Sequence, residues 1–183
     1  RMNQIEEVDP IGRTMTVQAG VPLQLIQETA ELSDLMFPLD LGARGSCQIG
    51  GNVSTNAGGN RVIRFGMARE NVLGIEAVLA DGTVMSSLNV MIKNNSGYDL
   101  KQLFIGTEGT LGVITRIVLR LREIPQIQPT AFAAFDNFQQ VTKFLRFVDQ
   151  RLGGELSAFE VMWHDYYEVV TTAPADNIRP VPA

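Results

Sequence analysis

The sequence predicts an α+β chain, with one substantial domain followed by the start of a second. Three observations carry this reading. Short β-branched runs separated by turn residues recur over the first 125 positions. Apolar residues fall at helical spacing in two well-separated places, Leu23–Ile26–Ala30 and Phe138–Leu152. Thirteen of the 17 glycines lie between Gly42 and Gly112, so the middle of the chain exposes backbone. At 183 residues, 45% hydrophobic and 19% charged, the chain is long enough to bury a core and unlike a disordered segment.

Taken in order, residues 5–8 and 14–18 read as strands joined by a turn at Asp9-Pro10-Ile11-Gly12. Pro22 stands where a first helical residue would, and the spacing predicts a helix over 22–33. Residues 74–80 form a strand, Asp81-Gly82 a hairpin turn, and 83–86 the return strand. Asp99 is placed to cap a short helix bearing Leu100, Leu103 and Phe104. A β-rich run follows over 111–121. Pro125 and Pro129 mark a composition shift, which divides the chain into 1–124 and 125–183. Beyond it come a strand over 130–135, a helix capped by Asp136 and ended by Gly153-Gly154, and a strand over 156–162. The opening residues read as mid-protein sequence, and 173–183, with three prolines, as a frayed tail or a cut edge.

Charge and composition exclude several functions. The net charge is −5 with no run of Lys or Arg, which argues against nucleic-acid backbone binding. Cys47 is the only cysteine, so no internal disulfide framework exists. No apolar stretch approaches the roughly 20 residues of a membrane helix. The single histidine, His164, has Asp165 and Glu168 nearby, which is poor spacing for a metal. It reads as a surface or partly packed residue, and no metal site is expected. The same shortage of histidine removes triad hydrolysis, and Cys47 reads as a small packed residue.

Two segments carry the chemistry. Residues 38–59, PLDLGARGSCQIGGNVSTNAGG, interleave glycine with Ser46, Asn52, Ser54, Thr55 and Asn56. Successive backbone N–H groups in such a stretch, with hydroxyl and amide side chains, make a donor surface for an anion such as a pyrophosphate, with help from a helix end. Few cations accompany it: Arg44, then Arg61 and Arg64. The bland alternative is that the glycines only shape tight turns. Neither G-x-G-x-x-G nor G-x-x-x-x-G-K-[ST] is present. In the second segment, Gly106, Gly109 and Gly112 recur every third residue around Glu108, just before the β-rich run. They form either a crowded helix-to-strand turn or a wall for a flat ring or ribityl chain, faced by the backbone of 112–114.

The stretches GGNVSTNAGGNRVIRFG, VLGIEAVLADGTVM and GYDLKQLFIGTEGTLGVIT resemble the FAD-linked D-lactate, glycolate and D-2-hydroxyglutarate dehydrogenase group of the vanillyl-alcohol-oxidase flavoprotein superfamily. The resemblance runs from about Met2 to Met162. It implies the second part of a two-part FAD-binding domain, followed by the start of an α+β substrate cap. It assigns Asp40, Gly42, Ala43, Gly45, Ser46, Gly50 and Gly51 to the flavin and its phosphates, with Thr55, Asn56, Ala57 and Gly58 continuing that contact. Glu108, Gly109, Leu111, Gly112, Val113 and Ile114 would hold the adenosine-side or ribityl part. The cofactor implied is FAD, non-covalent as far as this sequence shows. The partners implied are a small 2-hydroxy acid and an electron acceptor, in the cytoplasm or, in a eukaryote, the mitochondrial matrix.

Departures from the pattern are informative too. The group's first flavin subdomain, with its own Gly-rich loop, is expected before Arg1, and the active-site base beyond Ala183. No catalytic residue is therefore expected here, and the isolated chain is expected to bind FAD weakly or not at all. Apolar surface left without its facing wall would favour self-association. A non-enzymatic binding module built on the same scaffold is a second reading, and a related oxidase with histidine-linked flavin a third.

Overall fold

The structure, a computed structural model, describes residues 2–175 and 177. The tail expected over 173–183 falls largely outside the described residues. The chain forms two compact units, Arg1–Pro125 and Gln126–Ala183, and it mixes helix and sheet as expected.

The first unit is built on strands β1 (Ile5–Asp9), β2 (Thr14–Gln18), β3 (Leu35–Met36), β4 (Val72–Val78), β5 (Val84–Ser87), β6 (Val113–Arg120) and β7 (Arg122–Glu123). Five of these make a wholly antiparallel sheet in the order β1-β2-β6-β4-β5, while β3 pairs with β7. The late strand β6 is thus the centre of the sheet. Its register explains the two faces. Ile117 lies opposite Val17 on one side and Ile75 on the other, and Leu119 lies opposite Met15 and Val72. All six belong to the buried core. Arg116, one residue out of phase, lies between Gln18 and Glu76 and joins a charged cluster with Glu6. This alternation is the two-residue period of a half-buried sheet.

Helix α1 (Leu23–Glu31) covers the core face with Leu23, Ile26 and Ala30, and α2 (Ile49–Ser54) adds Ile49 and Val53. Neither has a side-chain cap; each is capped by the backbone of the other's entry loop. Leu23 N–H donates to Cys47 O (3.1 Å) and Gln24 N–H to Arg44 O (2.9 Å). Ile49 N–H donates to Val21 O (3.0 Å) and Gly50 N–H to Ala19 O (2.8 Å). The first two amides of each helix, which a helix start leaves without internal partners, are thereby satisfied. A short helix α3 (Val62–Phe65) and a 3-10 turn at Ala68–Asn71 lead into β4. Buried Asn71 ties that turn down, donating to Phe65 O (2.9 Å) and Met67 O (3.0 Å).

The structure corrects several local expectations. The Gly-rich stretch contains a helix, α2, that its composition does not suggest. Strand β4 runs two residues earlier than expected, with bulges at Val72/Gly74 and Glu76/Ala77. Asp99 makes no capping bond to the 3-10 turn Leu100–Leu103; its carboxylate instead accepts from Lys101 (2.6 Å) and Gln102 (3.1 Å).

In the second unit, α4 (Phe138–Leu152) is capped by Asn137, whose side chain accepts from Gln140 N–H, rather than by Asp136. Gly153 ends it in the left-handed conformation, with φ 55. The strands expected over 130–135 and 156–162 are not formed: these residues are irregular. A strand exists only through its ladder, and an isolated pair is marginal in water. Phe144 packs on Phe135 (5.1 Å between ring centroids) and Phe159 (6.3 Å), and Phe138 on Trp163 (5.8 Å). Helix α5 (His164–Thr171) begins at the exposed His164.

Candidate functional site

A cleft of about 750 Å3 opens in the first unit where the end of β2, helix α2 and the loop before β6 converge. This is within the usual size range for small-molecule sites. Its lining comes from three segments. Ala19, Gly20 and Pro22 come from the β2–α1 connection, and Gln48, Gly50, Gly51, Ser54 and Thr55 from α2 and its entry. Glu108, Gly109, Val113 and Ile114 come from the third segment, and Met2 and Asn3 lie at the edge. Among these lining residues Glu108 is the only charged side chain.

The glycines of the wall divide by cause. At Gly50 a Cβ would stand 2.6 Å from Ala19 Cβ and 2.9 Å from Ala19 O. Glycine there is demanded by the packing of α2 against β2. At Gly51 a Cβ would meet nothing within 4 Å, and its backbone φ does not call for glycine. Gly109 is open in the same way, although its φ of +82 favours glycine. A glycine inside a helix costs roughly 1 kcal/mol relative to alanine. The chain's own packing gives no return for that cost at Gly51. A ligand lying directly on the helix backbone would.

The loop that carries Glu108 is clamped to the end of α2. Gly106 N–H donates to Val53 O (3.2 Å) and Glu108 N–H to Ser54 O (2.9 Å). Gly106, Glu108 and Gly109 all have positive φ, at +84, +54 and +82. For Glu108 this left-handed backbone is uncommon, and such residues concentrate at functional sites.

Of the residues picked out from the sequence, Gly50, Gly51, Thr55, Glu108, Gly109, Val113 and Ile114 meet at the cleft. Others lie elsewhere. Asp40 pairs with Arg61 (3.4 Å) and lines a separate small cavity with Arg44 and Gln27. Its backbone joins the two ends of the Gly-rich stretch, because a Cβ on Gly59 would stand 1.9 Å from Asp40 O. Gly42, Ala43, Gly45 and Ser46 form an exposed turn between α1 and α2. Asn56 ends α2 at φ 49, and its Oδ1 accepts from Arg69 N–H (3.0 Å). Ala57 N–H donates to Asn52 O (2.8 Å), and a Cβ on Gly58 would press on Val62 at 3.2 Å. Leu111 is exposed, and Gly112 is buried where a Cβ would crowd Val78 O (2.9 Å) and Phe104 (3.0 Å).

The helix-end assistance expected for an anion is mostly spent inside the protein, since the Ile49 and Gly50 amides are bonded to β2's exit. Cys47 accepts a weak hydrogen bond from Asn52 (3.4 Å), and burial pushes its thiol pKa up, which favours the protonated thiol. Among the described residues no group of three or more His, Cys, Asp or Glu could hold a metal ion, and no helix is long and apolar enough to cross a membrane. Sequence reasoning missed the contribution of Ala19, Gly20 and Pro22. The signal was there: an Ala-Gly pair leaving a strand, followed at once by a helix start.

Residues 1–87 match the FAD binding domain family. The mitochondrial D-2-hydroxyglutarate dehydrogenase of Danio rerio is 50% identical over 161 residues, 88% of this chain and 30% of that protein. The D-2-hydroxyglutarate dehydrogenase of Xanthomonas citri pv. viticola is 38% identical over 198 residues, 98% of this chain and 42% of that protein. The chain thus spans well under half the length of these relatives. Among solved structures, alkyldihydroxyacetonephosphate synthase superposes with a TM-score of 0.66 over 82% of this chain and 26% of its own, at 21% identity, which is a likeness of fold alone. Residues 1–87 thus match the FAD binding domain family, and most of the chain is similar to D-2-hydroxyglutarate dehydrogenases, at 50% and 38% identity to the two relatives above.

Proposed function

We propose that this chain supplies one wall of the FAD site in an oxidoreductase that converts a D-2-hydroxy acid to the 2-oxo acid. The observation that carries this is Gly51, a helical glycine unexplained by the chain's own packing, on the wall of a cleft of suitable size. The donor set fits the neutral portions of FAD. Ser54, Thr55, Asn3 and Gln48 offer hydrogen bonds, while Met2, Ala19, Pro22, Val113 and Ile114 offer apolar contact. Glu108 suits a hydroxyl donor better than a phosphate, since two anions repel.

FAD, when bound, would accept the C2 hydrogen as hydride, while the hydroxyl proton would pass to a base that the residues of this chain do not supply. This chain's residues bind and orient. Gly50, Gly51, Thr55, Glu108, Gly109, Val113 and Ile114 touch the cofactor, while Asn56, Ala57, Gly58, Leu111 and Gly112 shape the turns that present them. Asp40, Gly42, Ala43, Gly45 and Ser46 lie outside the cleft and would meet the cofactor only where it extends past it. The first unit acts as the flavin-binding part and the second, from about residue 125, as the beginning of the substrate cap. A small 2-hydroxy acid is the substrate, and a separate acceptor reoxidises the cofactor. In a eukaryote the setting is the mitochondrial matrix, in keeping with the mitochondrial relatives.

Gly51→Ala tests the reading. Relieving the helix of its glycine holds or raises the melting temperature, because alanine favours helix by up to about 1 kcal/mol. The added methyl narrows the cleft and weakens FAD binding, measured by quenching of flavin fluorescence, by about tenfold. A wild type that binds FAD measurably and a variant that binds it equally well would remove the flavin from this wall.

A further inference from the structure

We infer that Arg69, which does not line the cleft, is a positioning residue that locks the Glu108 loop against it and so sets flavin affinity. The inference rests on the flavin reading of the cleft. Arg69 sits in the 3-10 turn Ala68–Asn71 and reaches two segments at once, the end of α2 and the turn over residues 102–105. Its backbone N–H donates to Asn56 Oδ1 (3.0 Å), at the end of α2. Its guanidinium Nη1 donates to Gln102 O (3.1 Å) and to Gln102 Oε1, and Nη2 donates to Ile105 O.

Those two carbonyls leave the 3-10 turn Leu100–Leu103 and its continuation, where backbone acceptors lack internal partners and a cation is favoured. From Ile105 the chain passes directly into Gly106, Thr107, Glu108 and Gly109. Three of these four residues hold the left-handed backbone. That conformation is costly at Glu108 and persists only when its surroundings impose it. On one side the α2 carbonyls of Val53 and Ser54 hold it, and on the other Arg69 does. Arg69 also lies against the loop itself, since a Cβ on Gly106 would be in van der Waals contact, 3.4 Å from both Arg69 Nη2 and Asn56 Cβ. A planar guanidinium serves two backbone carbonyls and a side-chain oxygen together. A lysine ammonium, a single point on a flexible stem, does not reproduce that fork.

The test compares Arg69→Ala and Arg69→Lys with the wild-type chain in two measurements. The first is amide exchange at residues 106–109 without FAD. The second is FAD affinity by fluorescence quenching. Arg69→Ala is expected to speed exchange at Gly106 and Glu108 and to weaken FAD by about tenfold or more, the effect of losing a charge-assisted hydrogen-bond cluster. Free guanidinium should restore part of the affinity to Arg69→Ala and none to the wild type, a rescue that a general packing defect would not show. Arg69→Lys is expected to lie between the two. If Arg69→Ala fails to fold, Arg69→Lys carries both measurements, and wild-type values in it would sink the inference. Unchanged exchange, or faster exchange with unchanged FAD affinity, also overturns it. A wild-type chain that binds no FAD is the outcome expected of one wall alone and leaves the flavin reading standing; the exchange data then decide by themselves whether Arg69 positions the loop, and unchanged exchange overturns the inference.

Discussion

Glu6 on β1 illustrates how a single exposed residue acquires a measurable role. Its carboxylate accepts from Arg116 Nε at 2.9 and 3.1 Å, and Arg116 also faces Glu76 at 3.6 Å. The hydrogen bond from Arg116 holds the Glu6 carboxyl below its usual range, against an opposing effect of burial. A carboxylate lowered by folding stabilises the protein above its unfolded pKa and loses that contribution as pH falls through the folded one. Glu6→Gln should therefore lower stability at pH 7 by under about 1 kcal/mol, the scale of an exposed pair. Urea melts should show the difference shrinking below about pH 4, near the ordinary glutamate value. A gap that stayed constant from pH 7 to pH 3 would rule out this origin. Other residue-scale facts are closed to sequence reading. Gly50 and Gly51 are adjacent and identical in type, yet one is required by Ala19 and the other by nothing in the chain. Only the fold decides which neighbour stands over which glycine.

At the scale of elements, the sequence displays those whose pattern is long enough to have a period. Strands β1, β2, β4 and β6 and helices α1 and α4 are visible in this way. Helix α2 is hidden because Gly50, Gly51, Asn52 and Ser54 are poor helix formers. Tertiary contacts impose it, through the burial of Ile49 and Val53 and the bonds to β2's exit. Strands β3 and β7 have two residues each, too few to alternate. The expected strands over 130–135 and 156–162 have the right residues without a ladder. Within the sheet, Gly74 makes a sharper prediction. A Cβ there would stand 2.5 Å from both Asn89 N and Ser87 O, so the strand leaving β5 lies directly on β4 at this point. Gly74→Val should destabilise the chain by about 1–3 kcal/mol, as overpacking does. Gly82→Val, in open space at the hairpin turn, should instead cost through its φ of +84 alone. Equal urea midpoints for Gly74→Val and the wild type would contradict the close approach.

Over the whole molecule the two units differ in how much they bury. The first holds a continuous core from Met15 to Leu121, whereas the described residues of the second include none that is buried. Amide exchange should reflect this. The amides of β2, β4 and β6 should be protected near the global limit, while those of α4 and α5 exchange through local opening. Uniform protection across residues 14–170 would refute the division. Much of the cleft was legible beforehand, because glycine density and the Ser–Thr–Asn interleave mark backbone that something approaches. Its meeting with residues 19–22 was not legible, since nothing local announces a contact between segments 30 to 90 residues apart.

The central position of β6 also governs the order in which the protein can assemble. Strand β2 ends at Gln18, yet its partner toward the middle of the sheet begins at Val113, and β4 leans on that same strand. Until β6 leaves the ribosome, the hairpins β1–β2 and β4–β5 are two separate ribbons, each with an unpaired edge. The closing step must join segments about a hundred residues apart, and contacts so distant in sequence form slowly. During synthesis the nascent chain therefore waits with both edges open, the state in which strands pair with the wrong neighbour.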